Sequence, residues 1–308
     1  MKFEPSNALR QPARRCLPEP VRRFAGDDDT RFENVVFAGG GNRCFWQAGF
    51  WSVAAQALAL KPTRVTAVSA GSAIACTLFS DSFDSGFRHY KKALAANGSN
   101  VYLRNLLRDQ PVFPHGTMYR DAILACIDEA ALMRLRCASP QISVLISCPP
   151  RWAPPGMALM LGMIATGIDD LGSECVHASC GCRIGFTPLF VSVRECATPA
   201  SLADLIIASS CVPPLTPQAR RNGIALFDGG FVSNVPTQGV GGANGQTLVL
   251  LTRPFAQLPS IPGRTYVQPS HPVPVAAWDY TDPAALQATF DLGRRDGERF
   301  CATLGVTA

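Results

Sequence analysis

Three glycines, Gly39-Gly40-Gly41, directly follow the apolar run Val35-Val36-Phe37-Ala38. A glycine triplet presents backbone N–H groups with no side chain to screen them, which is what a developing oxyanion requires. Further on, the β-rich run Val65-Thr66-Ala67-Val68 delivers Ser69-Ala70-Gly71-Ser72-Ala73. A nucleophilic serine on a sharp strand-to-helix turn needs small residues two places before and two places after it, because larger side chains clash in the strained turn. Ser69 has Ala67 and Gly71 in those places. Ser72 has Ala70 and Ile74, and falls inside the helix that follows. The two turns thus offer an oxyanion site and a nucleophile, the two parts of an acyl-transfer centre.

A serine nucleophile also needs a base. The chain has four histidines, His89, His115, His177 and His271. His271 lies after the acid Asp228, so Ser69…Asp228…His271 reproduces the chain order of an α/β-hydrolase triad. Asp228 itself ends the apolar strand Ile224-Ala225-Leu226-Phe227 and opens Asp228-Gly229-Gly230. A carboxylate at a strand end, with glycines that let backbone approach, also suits a base acting directly on Ser69. Taken alone, Asp-Gly-Gly is an ordinary turn, so the residues leave dyad and triad open.

The elements that must hold these groups follow from periodicity. Strands are predicted at 33–38, 64–68, 141–147, 188–193, 223–227 and 246–252. Helices are predicted at 43–60, 70–79, 84–96, 117–134, 201–209 and 282–302, the last opened by the cap pair Asp282-Pro283. Strand–turn–helix–strand order implies parallel neighbours joined by a right-handed crossover, and hence an α/β fold. Residues 1–30, ending in Asp27-Asp28-Asp29, read as an irregular arm, and 31–308 as one α/β domain. The Met-rich stretch Pro154–Ile168, with Met157, Met160 and Met163 beside Trp152, suits either a lid with an interfacial contact or a core helix.

Composition narrows the classes. With 47% hydrophobic and 17% charged residues among 308, the chain can bury a large core and is not generally disordered. The net charge of +5 is modest, and its densest arginine patch (Arg10, Arg14, Arg15, Arg22, Arg23) reads as a solvated tail, so no nucleic-acid partner is expected. The glycine loop lacks the phosphate-binding pattern ending in Lys-Ser/Thr. The second strand ends in Ser69 where a ribose-binding acid would stand, which disfavours a nucleotide-binding module. No apolar run spans a bilayer, and the N-terminal thirty residues hold no secretory core. The twelve cysteines, spread through apolar contexts, read as free thiols of a cytoplasmic protein. Cys175, His177, Cys180 and Cys182 have zinc-ligand types but no standard finger spacing, so neither a metal nor another cofactor is expected.

Taken together, Gly39-Gly40-Gly41-Asn42-Arg43, Ser69 within Ala-Val-Ser-Ala-Gly, and Asp228-Gly229-Gly230 resemble the signature of the patatin-like phospholipases, in the family's order. Ala208-Ser209-Ser210-Cys211-Val212-Pro213-Pro214 and Ser233-Asn234-Val235-Pro236 extend the similarity, which runs from about residue 33 to 240. Ala67 and Cys44 depart from it, each standing where the family commonly has glycine. The resemblance implies a three-layer fold with a mostly parallel central sheet and helices on both faces. It also implies a Ser69–Asp228 dyad without a catalytic histidine, and an oxyanion and substrate-binding loop of Gly39, Gly40, Gly41, Asn42 and Arg43. The implied substrate is a phospholipid or other lipid ester, with peripheral membrane contact at a lipid surface. A catalytically silent scaffold is the remaining alternative, and oligomeric state stays open.

Overall fold

The computed structural model describes residues 32–306, apart from 109, 138–139, 172–174 and 178–179 and the side chains of 168–171. The expected N-terminal arm lies outside the described residues. In chain order the elements are β1 (Phe32–Phe37), a 3-10 turn (Gly41–Cys44), α1 (Phe45–Ala57), β2 (Arg64–Val68), α2 (Ala70–Phe79) and α3 (Phe83–Ala96). There follow α4 (His115–Cys126), α5 (Glu129–Cys137), β3 (Gln141–Cys148), α6 (Pro155–Leu171), α7 (Cys180–Arg183), β4 (Thr187–Ser192) and α8 (Pro199–Ser209). The chain closes with β5 (Ala219–Arg221), β6 (Ile224–Asp228), β7 (Gln246–Leu250), β8 (Arg264–Val267) and α9 (Pro283–Thr303).

The eight described strands form one mixed sheet in the order β5-β6-β3-β2-β1-β7-β8, with β4 added on β3. The run β3-β2-β1-β7-β8 is parallel, so its strands are apolar over most of their length and lie under helices. Val35, Val36, Phe37, Val65, Val144, Leu145, Leu248 and Val249 are all buried. β4 and β6 both run antiparallel to β3.

One pairing fixes the site. Strand β3 pairs with β2 up to Val68↔Leu145 and then with β6 at Ile146↔Asp228 and Ser147↔Phe227. β4 occupies β3 across the same stretch, from Ser143 to Cys148. A strand has only two edges, so β6 must take the edge that β2 has just vacated. The end of β2 and the end of β6 therefore meet head to head along β3, and Ser69 abuts Asp228.

The predicted helix over 117–134 is two helices. Ile127 turns extended, and the Asp128 carboxylate accepts the Ala131 N–H at 2.7 Å, giving α5 its own start. The short edge strands β5 and β8 were not predicted. In the same core, α1 and α9 pack closely through Gly49 and Gly293, and the Trp46 indole N–H donates to the buried Asp296 carboxylate at 2.8 Å. A methyl on Gly293 would overlap the Trp46 carbonyl. Alanine gains about 1 kcal/mol of helix propensity over glycine, but a clash with backbone cannot be relieved by a rotamer change. Gly293→Ala should therefore lower stability by about 2 kcal/mol in urea unfolding; a neutral or stabilising result would show that α9 can shift away from α1.

Candidate active site

The site forms at the carboxyl ends of β1, β2 and β6. Ser69 stands between β2 and α2 with φ +52°, a backbone region that non-glycine residues seldom occupy and that marks a strained turn. Two features sustain it. A side chain on Gly71 would run into the carbonyls of Ala38 and Phe37, so glycine lets the turn close onto β1. The Ser69 N–H donates at 2.8 Å to the Ser209 hydroxyl, which itself donates at 2.6 Å to the Leu145 carbonyl. Buried at the end of α8, Ser209 ties the turn to β3.

The Ser69 hydroxyl donates at 2.7 Å to Asp228 Oδ2, while Asp228 Oδ1 accepts the Gly230 N–H at 2.7 Å. Both carboxylate oxygens are thus engaged. Burial raises the Asp228 pKa from 3.8 to about 6; the hydrogen bonds from Ser69 and Gly230 oppose that shift and are outweighed.

The glycine loop is held by its carbonyls. The Gly39 carbonyl accepts Thr252 Oγ1 at 2.7 Å and Asn234 Nδ2 at 3.3 Å; the Gly40 carbonyl accepts Arg43 Nε at 3.1 Å and the Arg43 N–H at 3.2 Å. In a trans peptide the N–H points opposite to the C=O, so pinning these two carbonyls orients the N–H groups of Gly40 and Gly41. Among the described residues neither N–H has a hydrogen-bond acceptor. Gly41 has φ +57°, and a Cβ there would overlap the Ala277 carbonyl, so glycine is required on both counts.

Gly40, Gly41, Arg43, Ser69 and Asp228 line one cleft of about 390 Å³, whose walls include Met163, Phe231, Val235, Phe255 and Trp278. Asn42 is placed differently from its neighbours. Its amide donates to the Asp279 carbonyl at 2.6 Å and accepts the Tyr90 hydroxyl at 2.9 Å, holding the loop from behind. His271 is exposed, contacts the Ser270 hydroxyl at 2.9 Å and does not line the cleft, and no other histidine does. Among the described residues no three His, Cys, Asp or Glu side chains gather as metal ligands, and every described cysteine is a free thiol.

Helix α6 is split between two surroundings. Ala158, Gly162 and Ala165 face inward, with Gly162 against the Phe231 ring just after Asp228, whereas Met160, Met163 and Ile164 are 58%, 50% and 53% exposed. It is therefore not a plain core helix. Ser209, Asn234 and Thr252 were not singled out by the chemistry of their types. Ser209 and Asn234 lie within the extended motif match, whereas Thr252 carries no signal in the sequence.

The fold and cleft define an α/β protein with a serine at a strand-to-helix turn and a carboxylate against it. The family model of the patatin-like phospholipases matches residues 35–240, and the chain belongs to that family. Membership supports lipid acyl hydrolase activity. Among solved structures, VipD from Legionella pneumophila is similar at 12% identity, covering 88% of this chain and 67% of its own, with a TM-score of 0.42. No curated protein matches the chain. No described helix is long and apolar enough to cross a membrane.

The Asp228 carboxylate has a cost that can be measured. Its folded pKa of about 6 exceeds the ordinary 3.8, so folding favours the protonated acid. The penalty is absent below about pH 4, grows as pH rises, and is fully present above pH 6. Asp228→Asn keeps the shape without the charge. Relative to wild type it should gain about 3 kcal/mol at pH 8, at roughly 1.4 kcal/mol per pKa unit, and the gain should vanish near pH 4. Thermal melts across that range check it; a pH-independent difference would mean that the carboxylate carries no burial penalty.

Proposed function

We propose that the protein is a serine-dependent lipid acyl hydrolase of the phospholipase A or lysophospholipase type, working through a Ser69–Asp228 dyad. The observation that carries this reading is the 2.7 Å hydrogen bond from the Ser69 hydroxyl to Asp228, at the floor of a largely apolar cleft that no histidine lines. Asp228 takes the proton as Ser69 Oγ attacks the ester carbonyl carbon. The carbonyl oxygen, now negative, is received by the N–H groups of Gly40 and Gly41; a single such donor contributes on the order of 10²–10³ in rate. Asp228 then protonates the departing alcohol, leaving the acyl group on Ser69 Oγ. Water enters and attacks the acyl carbon as Asp228 takes its proton; the bond to Ser69 Oγ then breaks, Asp228 returns the proton to Oγ, and the fatty acid leaves. A base with a pKa near 6 is ionised at neutral pH, yet is more basic than a surface aspartate.

Ser69→Ala and Asp228→Ala should each lower kcat by about 10³ or more while circular dichroism stays native. A fluorophosphonate probe should label wild type and not Ser69→Ala. The wild-type kcat/KM should rise with pH and level off above about pH 6, as Asp228 ionises. Full activity in Asp228→Ala, with loss in His271→Ala, would replace the dyad by the triad.

Entry of a lipid from an aggregated surface fits the outward face of α6. Met160 and Ile164 are exposed on the helix whose Met163 borders the cleft, and Trp152 just before it is 63% exposed. Amphipathic membrane contact of this kind buries apolar side chains at the headgroup boundary. Met160→Asp with Ile164→Asp should weaken sedimentation with phospholipid vesicles at least tenfold, and should slow hydrolysis of vesicle lipid more than that of a water-soluble ester. Equal vesicle binding by the variant would remove α6 from the contact.

A further inference from the structure

The three glycines of the turn have no side chains to anchor them, and each has a wide range of backbone angles open to it. Asn42 is the first residue after them whose side chain can reach a partner. Its N–H donates at 3.0 Å to the Ala277 carbonyl, which fixes the peptide on the far side of Gly41. Its side chain is buried and makes two bonds of opposite sense. A carbonyl can only accept, so Nδ2 faces the Asp279 carbonyl, at 2.6 Å, and Oδ1 faces a donor, the Tyr90 hydroxyl, at 2.9 Å.

Tyr90 is built as a post. It lies on the buried face of α3 with Phe83 and Phe87, at four- and three-residue spacing. Its ring stacks on Phe45 at 5.6 Å and 6°, and meets Tyr280 edge-on at 5.8 Å and 89°. Phe45 opens α1 two residues after Arg43. Tyr280 ends the stretch 277–280, of which Ala277 and Trp278 wall the cleft. That stretch is itself held: the Trp278 carbonyl accepts His115 Nε2 at 2.9 Å, and the Tyr280 carbonyl accepts Asn97 Nδ2 at 2.8 Å. Burial pushes the Tyr90 phenol well above its ordinary pKa, so the hydroxyl keeps the proton it donates. Tyr90 does not line the cleft and touches no reacting atom there.

We infer that Tyr90 is a positioning residue for the reaction: acting through Asn42, its hydroxyl holds the Gly40 and Gly41 N–H groups where the ester oxygen gains its charge. The inference rests on the hydrolase reading above. The turn is gripped on two sides. Thr252, Asn234 and Arg43 hold the Gly39 and Gly40 carbonyls, and Asn42 holds the peptide after Gly41. Removing the Tyr90 hydroxyl leaves Asn42 Oδ1 buried without that donor, and a buried acceptor in that state is driven to turn toward another partner. The second grip then loosens, and Gly41 is fixed from one side only. An oxyanion donor acts on the transition state more than on the bound ester, so its drift lowers kcat and leaves KM in place.

Tyr90→Phe removes one oxygen and keeps the ring stacks. With p-nitrophenyl butyrate, kcat should fall at least tenfold while KM stays within twofold, and the rate of fluorophosphonate labelling should fall in step. Asn42→Leu should have the same effect. Adding Tyr90→Phe to Asn42→Leu should change kcat by less than twofold, because the hydroxyl acts through the amide. Hydrogen exchange at the Asn42 and Arg43 amides should quicken at least tenfold in Tyr90→Phe, with the β7 amides unchanged. A kcat within twofold of wild type in folded Tyr90→Phe would overturn the inference, as would a further tenfold loss in the double variant. If Tyr90→Phe does not fold by circular dichroism, the double variant, which removes both partners of the bond, should still show the loss, and a wild-type kcat there overturns the inference. If wild type cleaves no ester and takes up no probe, the hydrolase reading falls. Quicker exchange at Asn42 and Arg43 in Tyr90→Phe would then still support the hold on the turn, and unchanged exchange would overturn it.

Discussion

The site depends on how the two edges of β3 are shared. β4 takes one edge over its whole partnered length; β2 takes the other up to Leu145, and β6 takes the same edge from Ile146 onward. Two strands that run toward each other along one edge must stop where they meet. The residues at that junction are the last of β6, Asp228, and the first beyond β2, Ser69. The 2.7 Å hydrogen bond between them thus follows from sheet pairing, and neither side chain relies on a mobile loop to find the other. Because both lie at strand ends fixed by backbone hydrogen bonds, their separation is set by the most rigid part of the molecule.

What surrounds the junction serves the same geometry. A serine at φ +52° is strained, and strain persists only where neighbours over-determine it. Ser209 bonds the Ser69 N–H on one side and the Leu145 carbonyl of β3 on the other, tying the turn to the strand that organises the junction. The glycine loop is treated similarly from the opposite side. Thr252, beyond β7, and Asn234, beyond β6, hold the Gly39 carbonyl, while Arg43 holds that of Gly40. The unpartnered N–H groups are therefore directed by groups bonded to the other ends of their peptides.

Local pattern made much of this legible. Strands β1, β2, β3, β6 and β7 are apolar runs, of which β1, β2 and β6 lead into glycine or small-residue turns, and α9 announces itself through Asp282, whose carboxylate caps the Ala285 N–H at 2.8 Å. Ser69, Asp228 and the glycine turn stood out because strand ends with small residues carry a period and a chemistry that can be read in sequence. Other features needed tertiary information. Asp128 begins α5 inside what reads as one helical stretch, because nothing in the apolar pattern interrupts there. β8 gains its place only by pairing with β7, and β5, Ala-Arg-Arg, by pairing with β6. Ser209 and Thr252 reach partners 140 and 213 residues away, distances at which a hydroxyl in a sequence has no visible purpose. Asn42 shows the converse: a polar residue inside the motif turns inward to hold Tyr90 and Asp279.

In the proposed dyad, the burial of Asp228 would make a histidine unnecessary as the base. An exposed aspartate with its ordinary value of 3.8 is a weak base toward a serine proton; burial brings Asp228 to about 6. Both of its oxygens are already engaged, by Ser69 and by the Gly230 N–H, and an imidazole placed between acid and serine would have to displace the direct contact. The same burial demands that the cleft be walled by apolar side chains, and those walls suit an acyl ester better than a hydrophilic one. Desolvation is thus one cause with two consequences: it raises the basicity of the carboxylate, and it surrounds that carboxylate with the apolar walls a lipid ester would need.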